Sequence, residues 1–257
     1  MALAQQFSRL VEIMAKLRAP EGCPWDREQT HQSLRPYLLE ETYEVLETID
    51  QEKYDELRKE LGDLLLQVVF HAQIAAEDGR FTIGDVINEI SEKLIRRHPH
   101  VFGDLKVNSA AEQKVLWEHL KKAEGKSSVI DGVPAALPAL QRAQRLQQKA
   151  GTIGFEWENI EQVIQKFQSE LIELEQARAA GDMKQIEDEF GDILFALVNI
   201  GRWLNLNAED ALRRACEKFS RRFRFVEVRV NAAGENVNGM PLEKWEALWA
   251  EAKEETK

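Results

Sequence analysis

The chain repeats itself, and the repeat carries its charges in a fixed order. Glu41 and Glu44 lie three residues apart, and so do Glu60 and Asp63. Nineteen residues separate Glu41 from Glu60, and the same interval separates Glu170 from Glu189, where the pattern returns as Glu170, Glu173, Glu189 and Asp192. Each later pair is written E-x-G-D and runs straight into apolar sequence. Lys93, Arg96 and Arg97 recur as Lys218, Arg221 and Arg222, each trio at i, i+3 and i+4, and Trp117 is echoed by Trp249. A solvated face explains most single E-x-x-E pairs in helices. An ordered series of acidic, acidic, basic and tryptophan elements does not arise that way. It marks an internal duplication of about 120 residues per copy, enough for one domain each.

The repeat dictates a helical fold. Residues three apart share a helix face, with side-chain bases about 5–6 Å apart. Ala179-Ala180-Gly181-Asp182 predicts a tight connection between antiparallel helices, so one hairpin gathers four carboxylates. Ile193 to Val198 is apolar on every side, which predicts a buried segment behind Asp192. Carboxylates at the edge of a core need protons, basic partners or a metal.

The remaining elements follow in order. Phe7, Leu10, Val11, Met14 and Leu17 trace an amphipathic helix stopped by Pro20 and Gly22. Cys23-Pro24-Trp25-Asp26 is expected as a loop, and Pro36 suits the first turn of the next helix. Thr82 and Asp85 form a capping pair for a helix reaching His98. Glu124 to Pro138, with Gly, Ser and two prolines, reads as a linker. In the second copy a loop is expected from Gly151 to Trp157, a cap at Asn207 and Asp210, and a frayed tail. Phe225 to Val230 alternates, but a lone strand is unstable. The predicted fold is all-α: two tandem helical bundles, residues 1–124 and 139–257, joined by a linker at 125–138.

Composition removes several function classes. A net charge of −11 argues against a nucleic acid polymer as partner, since that needs a basic face. Cys23 and Cys216 lie far apart with no C-x-x-C spacing, and no signal-peptide pattern is visible. A cytoplasmic setting is therefore expected. The longest apolar stretch is too short for a membrane span.

Carboxylates without histidine or cysteine at matching positions are hard oxygen ligands suited to Mg²⁺ or Mn²⁺. The basic trio offers cations for phosphate oxygens, and Trp249 a flat face for a base. Trp249 and Trp117 fit core packing equally well. Glu28 and His31 make one E-x-x-H, whereas a di-iron bundle needs two. The readings in contention are metal-assisted displacement at phosphorus, a di-metal oxidase, and a catalytically silent helical binding or dimeric interaction module.

E-E-x-x-E at Glu40, Glu41 and Glu44, a spacer, then E-x-x-D, doubled along the chain with CPWD near the front, resembles the tandem-domain MazG nucleoside triphosphate pyrophosphohydrolases of the all-α NTP pyrophosphatase superfamily. The resemblance implies Mg²⁺-dependent cleavage between the α and β phosphates, broad base tolerance, a house-cleaning role and a homodimer joined through the bundles. It implies metal ligation and catalysis by Glu170, Glu173, Glu189 and Asp192. Nucleotide contacts are implied for Lys166, Phe167, Lys218, Arg221, Arg222 and Trp249. Counterparts in the first copy are Glu40, Glu41, Glu44, Glu60, Asp63, Lys93, Arg96, Arg97 and Trp117. The second copy departs at Ser169, which stands where the first has Glu40.

Overall fold

The computed structural model describes residues 2–106, 109, 112 and 128–256. The described residues form helices and no strand, and the chain divides into two compact units, residues 1–110 and 111–257. Trp117 and the first positions of the expected linker lie outside the described residues.

The first unit holds α1 (Leu3–Arg18), α2 (Pro24–Glu28), α3 (Arg35–Asp50), α4 (Tyr54–Glu77), α5 (Ile83–Arg97) and α6 (Pro99–Phe102). Pro36 sits in the first turn of α3, where its missing N–H leaves no gap. Thr82 accepts from the Asp85 amide, and Asp85 accepts from Thr82 N–H, closing a capping box at α5. Met14, Leu34, Val69, Phe70 and Ile74 form the core, with Phe7, Leu10 and Leu17 packed against it. CPWD, expected as a loop, begins the short helix α2, because Pro24 occupies its first turn.

The second unit holds α7 (Ala139–Gly151), α8 (Ile160–Ala180), α9 (Met183–Trp203), α10 (Ala208–Ala232) and α11 (Leu242–Glu255). Gly181 ends α8 in the left-handed conformation, φ +71°, and Asp182 at once caps α9 through the amides of Lys184 and Gln185. Two residues thus turn the chain around. Asn159 and Asn207 cap α8 and α10 in the same way.

Two expectations need correcting here. The tail is helical through Glu255, because Ala252 is fully buried against Val226 and Val230. The apolar run after Asp192 is not covered on every side: Ile193, Ala196 and Val198 are buried, whereas Leu194, Phe195 and Leu197 are 39–50% exposed. Within its unit α9 has neighbours along only part of its circumference, chiefly α8 and α7. A face turned away from them stays outside.

Candidate active site

The hairpin of α8 and α9 does what its spacing requires. Glu170, Glu173 and Glu189 each present one carboxylate oxygen, and the three lie within 4.8 Å of one another. Glu170 is buried at 4% exposure, Glu173 and Glu189 are half-buried, and Asp192 is exposed beside them. Lys166, one turn before Glu170, places Nζ 2.5 Å from Glu170 Oε1. That hydrogen bond holds the lysine above its ordinary range, with Glu173 and Asp192 adding to it. Ser169 is turned away from this cluster: its hydroxyl donates to the Lys166 carbonyl at 2.7 Å.

The hairpin of α3 and α4 builds the same cluster from Glu41, Glu60 and Asp63, again within 4.8 Å. Glu44 stands close enough to share a hydrogen bond with Glu60, and Glu40 adds its charge to Glu41. Burial, then neighbouring carboxylates led by Asp63, push Glu41 above its ordinary value. Burial, then Glu44 and Asp63, do the same to Glu60. Both donor sets are hard, anionic and close enough to converge on one divalent cation, whose bonds to oxygen run about 2.0–2.6 Å.

Next to the second cluster opens a cavity of about 470 Å³. Lys166, Glu170 and Asp192 form one side, and Leu146, Phe155, Trp157 and Phe195 line the apolar remainder. The loop carrying Phe155 and Trp157 is fixed by a hub. Arg202 donates through both terminal nitrogens to Glu156, each at 2.6 Å, and Trp203 Nε1 and the Trp157 amide donate to the same carboxylate. Burial pushes Glu156 upward, but the Arg202 and Trp157 hydrogen bonds prevail and hold it below its ordinary value.

The first unit fixes its own tryptophan-bearing segment with a pair of reversed polarity. Arg18 on α1 forms a bidentate pair with Glu77 of α4, and also donates to the carbonyls of Asp26 and Gln29. Its guanidinium holds Glu77 below the ordinary carboxylate range. His31, whose spacing to Glu28 suggested a ligand motif, instead stacks on His71 with their Nδ1 atoms 2.8 Å apart. Burial and the neighbouring ring lower the His71 pKa.

The remaining predicted residues lie elsewhere. Phe167 is half-buried on α8 and is not among the cavity's lining residues. Lys218, Arg221 and Arg222 sit on α10, which contributes nothing to that lining. Arg221 donates to the Thr256 carbonyl, and Arg222 has a buried Nε without a partner. Trp249 packs on Phe219, ring centroids 5.2 Å apart, and against the Val226 core. Lys93 lines a shallow groove with Phe81 and Asp85, and Arg96 and Arg97 occupy the last turn of α5. Sequence reasoning missed Gln147, Glu156 and Arg202. Glu156 and Arg202 are 46 positions apart, beyond any local periodicity.

Comparison with known proteins agrees with this architecture. The family model described as "MazG nucleotide pyrophosphohydrolase domain" matches twice, at residues 29–102 and 158–226. The chain is 50% identical over 250 residues to the nucleoside triphosphate pyrophosphohydrolase/pyrophosphatase MazG of Thermotoga maritima, spanning 96% of this chain and 95% of that one. It is 48% identical over 255 residues to the nucleoside triphosphate pyrophosphohydrolase of Escherichia coli K12, covering 96% and 97%. An uncharacterized protein of Bacillus subtilis, YabN, is 47% identical across 98% of this chain and 52% of its own length. With two matched segments, each carrying one acidic hairpin, and full-length relatives near half identity, the chain belongs to the MazG nucleotide pyrophosphohydrolase family.

Proposed function

We propose that this protein is a hydrolase that splits nucleoside triphosphates between the α and β phosphates, giving nucleoside monophosphate and pyrophosphate. The observation that carries the reading is the second hairpin: three carboxylate oxygens within 4.8 Å, with Lys166 alongside, at the side of a cavity of nucleotide dimensions. Glu170, Glu173, Glu189 and Asp192 would hold Mg²⁺, with Mn²⁺ as a substitute. When bound, the cation supplies positive charge for the phosphate oxygens and lowers the pKa of a bound water. Lys166 leaves Glu170 for a phosphate oxygen as the triphosphate enters, so its charge acts where negative charge accumulates. The buried Glu170 keeps bulk water from the inner side of the cluster. A water oxygen bonds to phosphorus while the bridging P–O bond breaks, pyrophosphate departs with the bridging oxygen, and the water's proton passes through the carboxylates to solvent.

The broader reading includes tolerance of many bases, a role in clearing abnormal nucleotides, and a homodimer in which the exposed Phe190, Leu194 and Leu197 are covered. It places the work in the cytoplasm, with no nucleic acid polymer and no membrane as partner. Among the described residues no helix is long and apolar enough to cross a membrane. The domains are taken as 1–124 and 139–257, each with one cluster, the second doing the hydrolysis. Incubation with Mg²⁺ and each nucleoside triphosphate, followed by product identification, tests the reading. Monophosphate and pyrophosphate are expected. Orthophosphate and diphosphate would place the cleavage elsewhere, and no turnover would leave a silent binding module.

A further inference from the structure

We infer that the cavity beside the second carboxylate cluster houses the substrate's base, and that Gln147 recognises that base through its unpartnered carbonyl oxygen. This rests on the triphosphate reading above and adds the part of the site that selects the substrate. The cavity is two-sided in its chemistry: Lys166, Glu170 and Asp192 form a charged side, and aromatic and aliphatic side chains fill out the rest. A nucleotide has the same division between its phosphates and its base. At about 470 Å³ the space falls within the range of small-molecule sites.

Gln147 is the polar group in that wall whose bonding is incomplete. It is buried at 8% exposure, and its Nε2 donates to the Phe195 carbonyl at 2.8 Å. That bond fixes which end of the amide is which. The other end, Oε1, is shut off from water and accepts nothing. The nearby Arg202 cannot satisfy it, because both terminal nitrogens are committed to Glu156. A buried acceptor without a donor is costly, and an arriving N–H removes that cost.

Every common base brings one. Adenine and cytosine carry an exocyclic amine, guanine has N1–H and an amine, and uracil and thymine have N3–H. A lone acceptor therefore admits them all while rejecting a base with no N–H on its pairing edge. Such a site is tolerant by construction, not by being featureless.

The first unit shows what closes this space. Four residues past Asp63 stands a buried Gln67, whereas four past Asp192 stands Ala196. Seven past, the residues are Phe70, in the first core, and Asn199, in the cavity lining. The smaller pair leaves room in the second unit, and the helix tolerates glutamine at that register.

The test compares kcat/KM for ATP with that for purine riboside 5′-triphosphate, which lacks the amine. The wild-type chain is expected to prefer ATP by about tenfold or more, since a site built to pair with a donor discriminates against its loss. Gln147→Leu erases the preference by lowering ATP to the level of the analogue. Ala196→Gln raises KM for ATP while Mn²⁺ binding, followed by electron paramagnetic resonance, is unchanged. Equal use of both triphosphates by the wild type overturns the inference and needs no variant to fold. So does a preference that survives Gln147→Leu, or one erased by Trp249→Ala instead. If no triphosphate yields pyrophosphate, the functional reading itself has failed; if ATP is cleaved without preference, only the base assignment has.

Discussion

Lys166 lies on Glu170 in the second hairpin, whereas the same register of the first, four residues ahead of Glu41, is Tyr37. The ligand patterns are otherwise matched, so the two clusters differ in who balances their charge. In the second, a lysine holds the buried carboxylate. In the first, burial and mutual repulsion push Glu41 and Glu60 up. A further contrast runs the other way: Glu40 adds negative charge to the first cluster, while Ser169 spends its hydroxyl on the Lys166 carbonyl. The lesson is that a repeated motif fixes the ligands and not the chemistry. A cluster with its own movable cation can exchange it for a metal-bound phosphate tail. One without it is a plainer cation trap.

The largest expected effect separates the hairpins directly. Glu189→Gln should lower turnover by at least about a hundredfold, the scale set by removing a group that organises transition-state charge, while Glu60→Gln leaves the rate near wild type. The reverse outcome would reassign the chemistry to the first hairpin.

Next comes the lysine. Lys166→Met should raise KM for ATP by about tenfold, the scale of one charge-assisted contact. It should also tighten Mn²⁺ binding in the absence of nucleotide, because Glu170 loses its internal partner. Parallel titrations with and without nucleotide check both halves; weaker Mn²⁺ binding would contradict the exchange.

The clamps give a smaller contrast, in stability. Arg18→Met should cost about 2–3 kcal/mol and Arg202→Met about 1–2, judged from the scale of hydrogen bonds to charged groups. Arg18 is the more buried, 7% against 16% exposed, and it also holds two carbonyls. Denaturant melts of both variants measure the order, and equal losses would erase the distinction.

The mildest effect is acid sensitivity. Glu77 and Glu156 both sit below their ordinary value of 4.5 in the folded chain. A depressed carboxylate contributes stability that is complete above 4.5 and lost as pH falls through the folded value. Melting temperatures should therefore drop below about pH 4.5, and drop less in Arg18→Met and Arg202→Met, which have already given up that contribution.

Much of this was legible in the chain. The caps at Thr82, Asn207 and Asp182 follow from short-range hydrogen bonds, and both carboxylate clusters follow from helical spacing. What escaped was whatever depends on tertiary neighbours. Nothing local in Gln147 marks it as half-satisfied, because its partner, Phe195, is 48 positions away. The Glu156–Arg202 hub is hidden for the same reason. The exposed flank of α9 was misjudged because periodicity reports which residues are apolar, not which neighbours cover them.

Gly181 and Asp182 reverse the chain in so little space that one uninterrupted segment, Glu170 to Asp192, carries a whole cluster. Its geometry needs no distant strand of chain to arrive first, so the cluster can assemble early and locally as the protein folds. A unit of inheritance this compact is also copied whole or not at all. Duplication would deliver a second, ready-made cation trap at once, leaving one copy free to change its occupant while the other kept its work.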